Sequence, residues 1–165
     1  MICMDDISIN RFSEEHPSDL LEKILEEGAS QSQFNDIYRV SYSGACNRDA
    51  FLCTVIVNSQ KESISNRDAY IAEMQKEYMV DDWSTSCWSD INRAKDLLSL
   101  MRRSADSPKI LIGNILPETG YSILTTERTS VKALPKKKQR KKEHHIDWWI
   151  FDDQDVSMYF EGTEV

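Results

Sequence analysis

The chain has few of the residues that punctuate or staple a fold: five glycines, four prolines and four cysteines among 165 residues. So few glycines and prolines exclude collagen-like and low-complexity classes. Cys3, Cys46, Cys53 and Cys87 show no Cys-x-x-Cys spacing. That excludes zinc-ribbon and thioredoxin-type patterns, and the expectation is four free thiols, some buried as small hydrophobes. No apolar run approaches the roughly 18 residues a membrane span requires, so no transmembrane segment is expected. The opening Met-Ile-Cys-Met-Asp-Asp lacks the basic start and apolar stretch of a secretory leader, which points to a reducing, cytoplasmic location. Chemistry is sparse as well. No glycine-rich phosphate loop, no nucleophile beside a base and no paired catalytic carboxylates stand out.

What is present suits a folded domain. Hydrophobic residues make up 40% and aromatics 9%, and a chain of this length buries on the order of 70% of its unfolded surface. The expected unit is a single α+β domain over residues 1–165, with a weakly patterned lead at 1–15. Leu20, Leu21, Ile24 and Leu25 form one apolar stripe ending at Gly28, a short amphipathic helix with a left-handed stop. Ile37–Tyr42 and Phe51–Val57 are rich in β-branched and aromatic residues and predict a hairpin with a long connector. Ser65 and Asp68 predict a capped helix start. Ile91, Ala94, Leu98 and Met101 recur at helical spacing, and Pro108 stops that helix.

The last third turns to strands. Lys109–Leu116 predicts a buried strand whose hairpin partner is Tyr121–Thr126 across Pro117-Glu118-Thr119-Gly120. Ile146–Phe151 and Val156–Phe160 predict a further pair. On the first of these, Ile146, Trp148 and Ile150 share one face, while Asp147, Trp149 and Phe151 share the other. About six strands and about three helices, with strands arriving as hairpins, predict a mainly antiparallel α+β fold.

The charge is polarised. Residues 136–142 read Lys-Lys-Lys-Gln-Arg-Lys-Lys, so Lys136, Lys137, Lys138, Arg140, Lys141 and Lys142 are cationic, and the rest of the chain carries 28 acidic against 14 basic groups. Like charges repel and have nothing to bury, so 132–144 is expected to be an exposed basic loop before the last two strands. Such a run can bind phosphates or anionic membranes, and Pro135 followed by these cations resembles a nuclear import signal, giving a nuclear location in a eukaryotic cell. No aromatic residue interrupts the run, so base stacking has no support.

His144 and His145 adjoin Asp147, but neighbouring strand residues face opposite ways and no three- or four-ligand zinc set assembles. Asp152, Asp153 and Asp155 lack calcium-loop spacing and its glycine. No metal or cofactor is expected. One of Trp148 and Trp149 belongs to the core, and the other is a candidate partner anchor if it stays at a surface.

One ordered set of residues is similar to ADP-ribosyltransferases: Arg39 in Tyr-Arg-Val, then Trp83-Ser84-Thr85-Ser86, then a later glutamate. The resemblance implies an arginine that holds NAD, a Ser-Thr-Ser strand that shapes the nicotinamide pocket, and an acid that stabilises the ribosyl cation. Those roles fall on Arg39, Ser84 and either Glu118 or Glu161. The chain departs from the family pattern in that Glu161 and Glu164 are separated by two residues. The leading expectation is instead a non-enzymatic, acidic binding or regulatory protein acting through protein contacts. A nucleic-acid accessory role through the basic loop is the remaining alternative.

Overall fold

The computed structural model describes residues 11–101 and 107–163. Helix α1 covers Leu20–Glu26, strand β1 Phe34–Ser41, helix α2 Thr54–Ser59, helix α3 Arg67–Lys76, strand β2 Thr85–Trp88 and helix α4 Ile91–Met101. Strands β3 (Lys109–Ile115) and β4 (Gly120–Leu124), helices α5 (Thr129–Lys132) and α6 (Lys136–Arg140), and strands β5 (His145–Ile150) and β6 (Phe160–Gly162) complete the described chain. The six strands form one sheet in the order β4-β5-β2-β1-β3-β6, and each neighbouring pair is antiparallel. The α+β fold with six strands and three helices of seven or more residues is as expected.

Which segments make the sheet, and which neighbours they choose, differ from the expectation. Phe51–Val57 is not a strand. Asn47 accepts a hydrogen bond from Ala50 N and closes a 3-10 turn at Arg48–Phe51, after which Thr54 starts α2. Its β-branched residues are overruled because Val55 and Cys53 are needed in the core below the helix. The sixth strand is Thr85–Trp88 instead. The expected hairpins do not pair. Strand β3 lies between β1 and β6, and β4 joins β5. The chain turns away from β3 through Pro117–Thr119 and Gly120, whose φ of +155° brings it against the Trp149 carbonyl, where a Cβ would collide. Val156–Tyr159 is a 3-10 turn, so only Phe160–Gly162 reaches the sheet. The α3 cap is Asn66, accepting from Ala69 N, and not Ser65. The basic segment is exposed but carries the helical turn α6. Gln139 donates to the Lys132 and Leu134 carbonyls and ties this turn down. Most of the 1–15 lead lies outside the described residues.

Alternation along the strands divides the core. On one face Ile37, Cys87, Leu111, Ile146 and Trp148 pack under Phe51, Val156 and Phe160. On the other, Trp149, Tyr121 and Ile123 meet α1, α2 and α3 through Leu20, Ile24, Val55 and Ile71. Further along that face Val40 and Ile110 meet α4 through Ala94, Leu98 and Met101. Both faces of β5 are thus buried, which is why it is an interior strand and not half of a hairpin.

The centre of the sheet is weakly zipped. Strands β1 and β2 share the single register pair Tyr38 and Trp88. Beyond it, residues 50–54 bridge the gap: Thr85 Oγ1 donates to the Phe51 carbonyl (2.7 Å) and Thr54 N to the Ser84 carbonyl (3.3 Å). This gap, between the two groups of helices, positions the candidate site.

Candidate functional site

Strand β5 carries an acid through the core. Asp147 is fully buried, and a buried carboxylate demands partners. Ser84 Oγ donates to its Oδ1 (2.7 Å), while Thr125 Oγ1 (2.9 Å) and Arg128 Nη1 (3.0 Å) donate to its Oδ2. Arg128 Nε also donates to Glu27 Oε2 (2.7 Å), and its Nη1 lies 3.7 Å from Asp81 Oδ1. Glu27 in turn accepts from Ser130 N and Oγ. Burial pulls the Arg128 pKa down, but Asp147, Glu27 and Asp81 outweigh it and hold it above the ordinary value. Burial pushes Glu27 up, but the bonds from Ser130 and Arg128 prevail and hold its carboxyl below the usual range.

Thr125 Oγ1 also lies 2.6 Å from His145 Nδ1. Its one hydrogen goes to Asp147, so bond accounting requires the His145 proton on Nδ1 and leaves Nε2 bare. Burial lowers the His145 pKa, partly offset by Asp147. His145 lines one lobe of a cleft of about 350 Å³ together with Asp81, Asp82, Lys141 and Lys142. A second lobe of about 270 Å³ lies between α2 and α4, and the two lobes share Thr54, Ser86 and Trp88.

This arrangement can hold and orient, but it offers little for bond-making. Ser84 is fully buried and donates into Asp147 while contacting the Asp81 carbonyl. Thr125 is buried and its hydrogen is committed to the same acid. A nucleophile must face its substrate with a base free to take its proton, and neither hydroxyl does.

The residues singled out from the sequence are scattered. Arg39 is buried in the β1–β2 gap, donating through Nε to the Ala50 carbonyl and through Nη1 to the Ser86 carbonyl, each at 2.9 Å. Ser84 belongs to the Asp147 cluster. Glu118 sits exposed beside β4 at one edge of the sheet, and Glu161 on β6 at the other. Glu161 registers with Ile112 and so with Tyr38, opposite in face to Arg39. The four do not form one site. Trp148 and Trp149 are both fully buried, one in each core, which corrects the expectation of an aromatic partner anchor: the sheet is covered on both sides there. His144 is exposed at φ +68°, while His145 turns inward. Asp152 and Asp153 pair with Arg48 and Arg11. Among the described residues no group of three or more His, Cys, Asp or Glu side chains is gathered for a metal.

The Asp147 cluster was missed from sequence. Its one signal is an acid inside an apolar strand, Ile146-Asp147-Trp148, which cannot be buried without a cation or hydroxyl donors from elsewhere. No family model, no curated protein and no solved structure matches the chain.

Proposed function

We propose that this is a non-catalytic binding protein that recognises an acidic patch on a partner protein through the basic turn at 136–142. The observation that carries the reading is the state of the six cations. Lys136, Lys137, Lys138, Arg140 and Lys141 are exposed, Lys142 half-buried, and none of the six ion-pairs among the described residues. Arg93 of α4 reaches the same patch, donating to the Arg140 carbonyl. Unpaired charge held on a short ordered turn steers association and is not consumed by the protein's own acids. The remainder of the chain carries 28 acidic against 14 basic groups. That excess repels a polyanion approaching from any other side, so a protein surface of mixed charge is better accommodated than nucleic acid.

The test is capture from source lysate by the tagged protein, with and without nuclease, and with the six cations replaced by glutamine. A stoichiometric protein that survives nuclease and is lost with the glutamine variant is the expected result. Capture of nucleic acid alone, weakening steeply with salt, would assign the segment to the nucleic-acid role. A partner retained in full by the glutamine variant would remove the basic turn from the contact.

A further inference from the structure

Arg39 is 7% exposed and makes no ion pair among the described residues. Two of its nitrogens are taken by carbonyls, Nε by Ala50 and Nη1 by Ser86. Nη2 has no hydrogen-bond partner there, and it is not among the buried polar atoms sealed from solvent. Arg39 lines the lobe between α2 and α4, where among the described residues it is the only ionisable lining residue apart from Tyr42. A buried cation with no counter-charge is costly, and carbonyl dipoles offset only part of that cost. Burial dominates its surroundings and lowers its pKa.

The rest of the lobe fits the missing charge. Thr54, Asn58 and Ser86 line it, and none of their side-chain polar groups has a hydrogen-bond partner among the described residues. Val57, Leu97 and the Trp88 ring supply an apolar wall. Among the described residues no aspartate or glutamate lines this lobe. The acids Asp81, Asp82 and Asp147 belong to the adjoining lobe, together with Lys141, Lys142 and His145.

From this geometry we propose that the lobe between α2 and α4 is a binding site for a small anionic ligand, a carboxylate or phosphate on an aromatic or apolar body. The anionic head takes Arg39 Nη2 with the neutral donors of Thr54, Asn58 and Ser86. The body lies against Trp88, Val57 and Leu97. A guanidinium with a fixed fork is suited to either head group, and a volume of about 270 Å³ holds a single substituted ring. The site is separate from Lys136, Lys137 and Lys138, so it stands or falls independently of the partner contact.

The experiment is titration of the whole protein with phenyl phosphate and, separately, with benzoate, followed by calorimetry and by tryptophan fluorescence. Saturable binding of at least one probe is expected, and the preferred probe distinguishes phosphate from carboxylate. Arg39→Met should weaken it by at least about tenfold, the effect of losing one charge-assisted hydrogen bond. Because that variant also strips two backbone carbonyls of their donor and can fail to fold, Asn58→Asp is the second test. It places a like charge in the lobe without touching the Arg39 bonds, and binding should again fall at least about tenfold. Replacing Lys136, Lys137 and Lys138 by glutamine should leave the affinity unchanged. No saturable binding of either probe, or binding that survives Asn58→Asp but is lost with the lysine variant, would overturn the assignment.

Discussion

Arg128→Met is the sharpest perturbation of the buried cluster. The methionine keeps an unbranched apolar stem and removes only the guanidinium, which is 4% exposed and bonded to Asp147 at 3.0 Å and Glu27 at 2.7 Å. Removing one partner of a buried ion pair costs about 3–5 kcal/mol, because the other charge is left desolvated. Against a typical total stability of about 5–15 kcal/mol this is a large fraction, and for a chain of this size it lowers Tm by roughly 6–20 °C. Urea unfolding followed by tryptophan fluorescence reads it directly, since Trp83 and Trp149 lie in the adjoining core. The loss should also depend on pH. Glu27 is held below its ordinary value by Ser130 and Arg128 against the effect of burial, so its contribution is present above the unfolded value of about 4.3. It is lost as pH falls through the lower folded value. The variant loses part of that contribution, so its deficit is greatest near neutrality and shrinks in acid. A deficit under about 1 kcal/mol, or one of equal size at pH 4 and pH 7, would refute the view that this cluster clamps α1, β2 and β5 together.

Other groups make separate predictions. His16 stacks between Phe12 and Trp83, and burial lowers its pKa from 6.5 to about 4. Its contribution is present above about pH 6.5 and lost as pH falls towards 4, by up to about 3 kcal/mol. In His16→Phe the urea midpoint should therefore change less between pH 7 and pH 4.5 than in the parent, and an unchanged pH profile would contradict the burial of this ring. Gly113→Ala should destabilise by about 1–3 kcal/mol, since an added Cβ meets the Tyr159 carbonyl and the Phe160 ring where β3 pairs with β6; a neutral effect in thermal unfolding would mean that β6 yields easily. Burial pushes the Cys53 thiol up to about 11 and the Cys87 thiol up to about 12, so in a Cys3→Ser/Cys46→Ser background a thiol reagent should label the protein only as it unfolds. Rapid labelling under native conditions would show that a buried thiol opens locally.

The elements that could be read from the chain are those whose own residues decide them. The stripe of Leu20, Leu21 and Ile24 closes at Gly28, whose φ of +97° is the left-handed stop its position predicted. The periodicity of Ala94, Leu98 and Met101 gave α4 for the same reason. Pairing is different, because a strand's neighbour is chosen by packing across the sheet and not by its own sequence. Lys109–Ile115 and Gly120–Leu124 are adjacent in the chain, yet each finds its main partner elsewhere. The segment around Val55 has the composition of a strand, yet it forms a helix whose Val55 packs in one core with Leu20, Ile24 and Ile71.

The candidate site was less legible, because its parts are remote in sequence and several are ordinary residues. Glu27, Ser84, Thr125, Arg128 and Asp147 come from five separate stretches, and only the acid within Ile146-Asp147-Trp148 announces a need. Arg39 is the opposite case: the sequence shows an arginine inside a strand, but not that its partners are backbone carbonyls and not a distant glutamate. The structure puts Glu118 and Glu161 at the two edges of the sheet and Arg39 at its centre, where β1 and β2 separate after one register pair. The Ser86 carbonyl that a longer ladder would have occupied accepts from the guanidinium instead. At the same break Arg39 borders the lobe between α2 and α4, with its guanidinium held by the Ala50 and Ser86 carbonyls. A charge positioned in this way by backbone carbonyls, with one nitrogen left over, is organised for a ligand before the ligand arrives. If Arg39 were only a filler for the gap, Arg39→Met would change stability alone and anion affinity would follow the surface lysines.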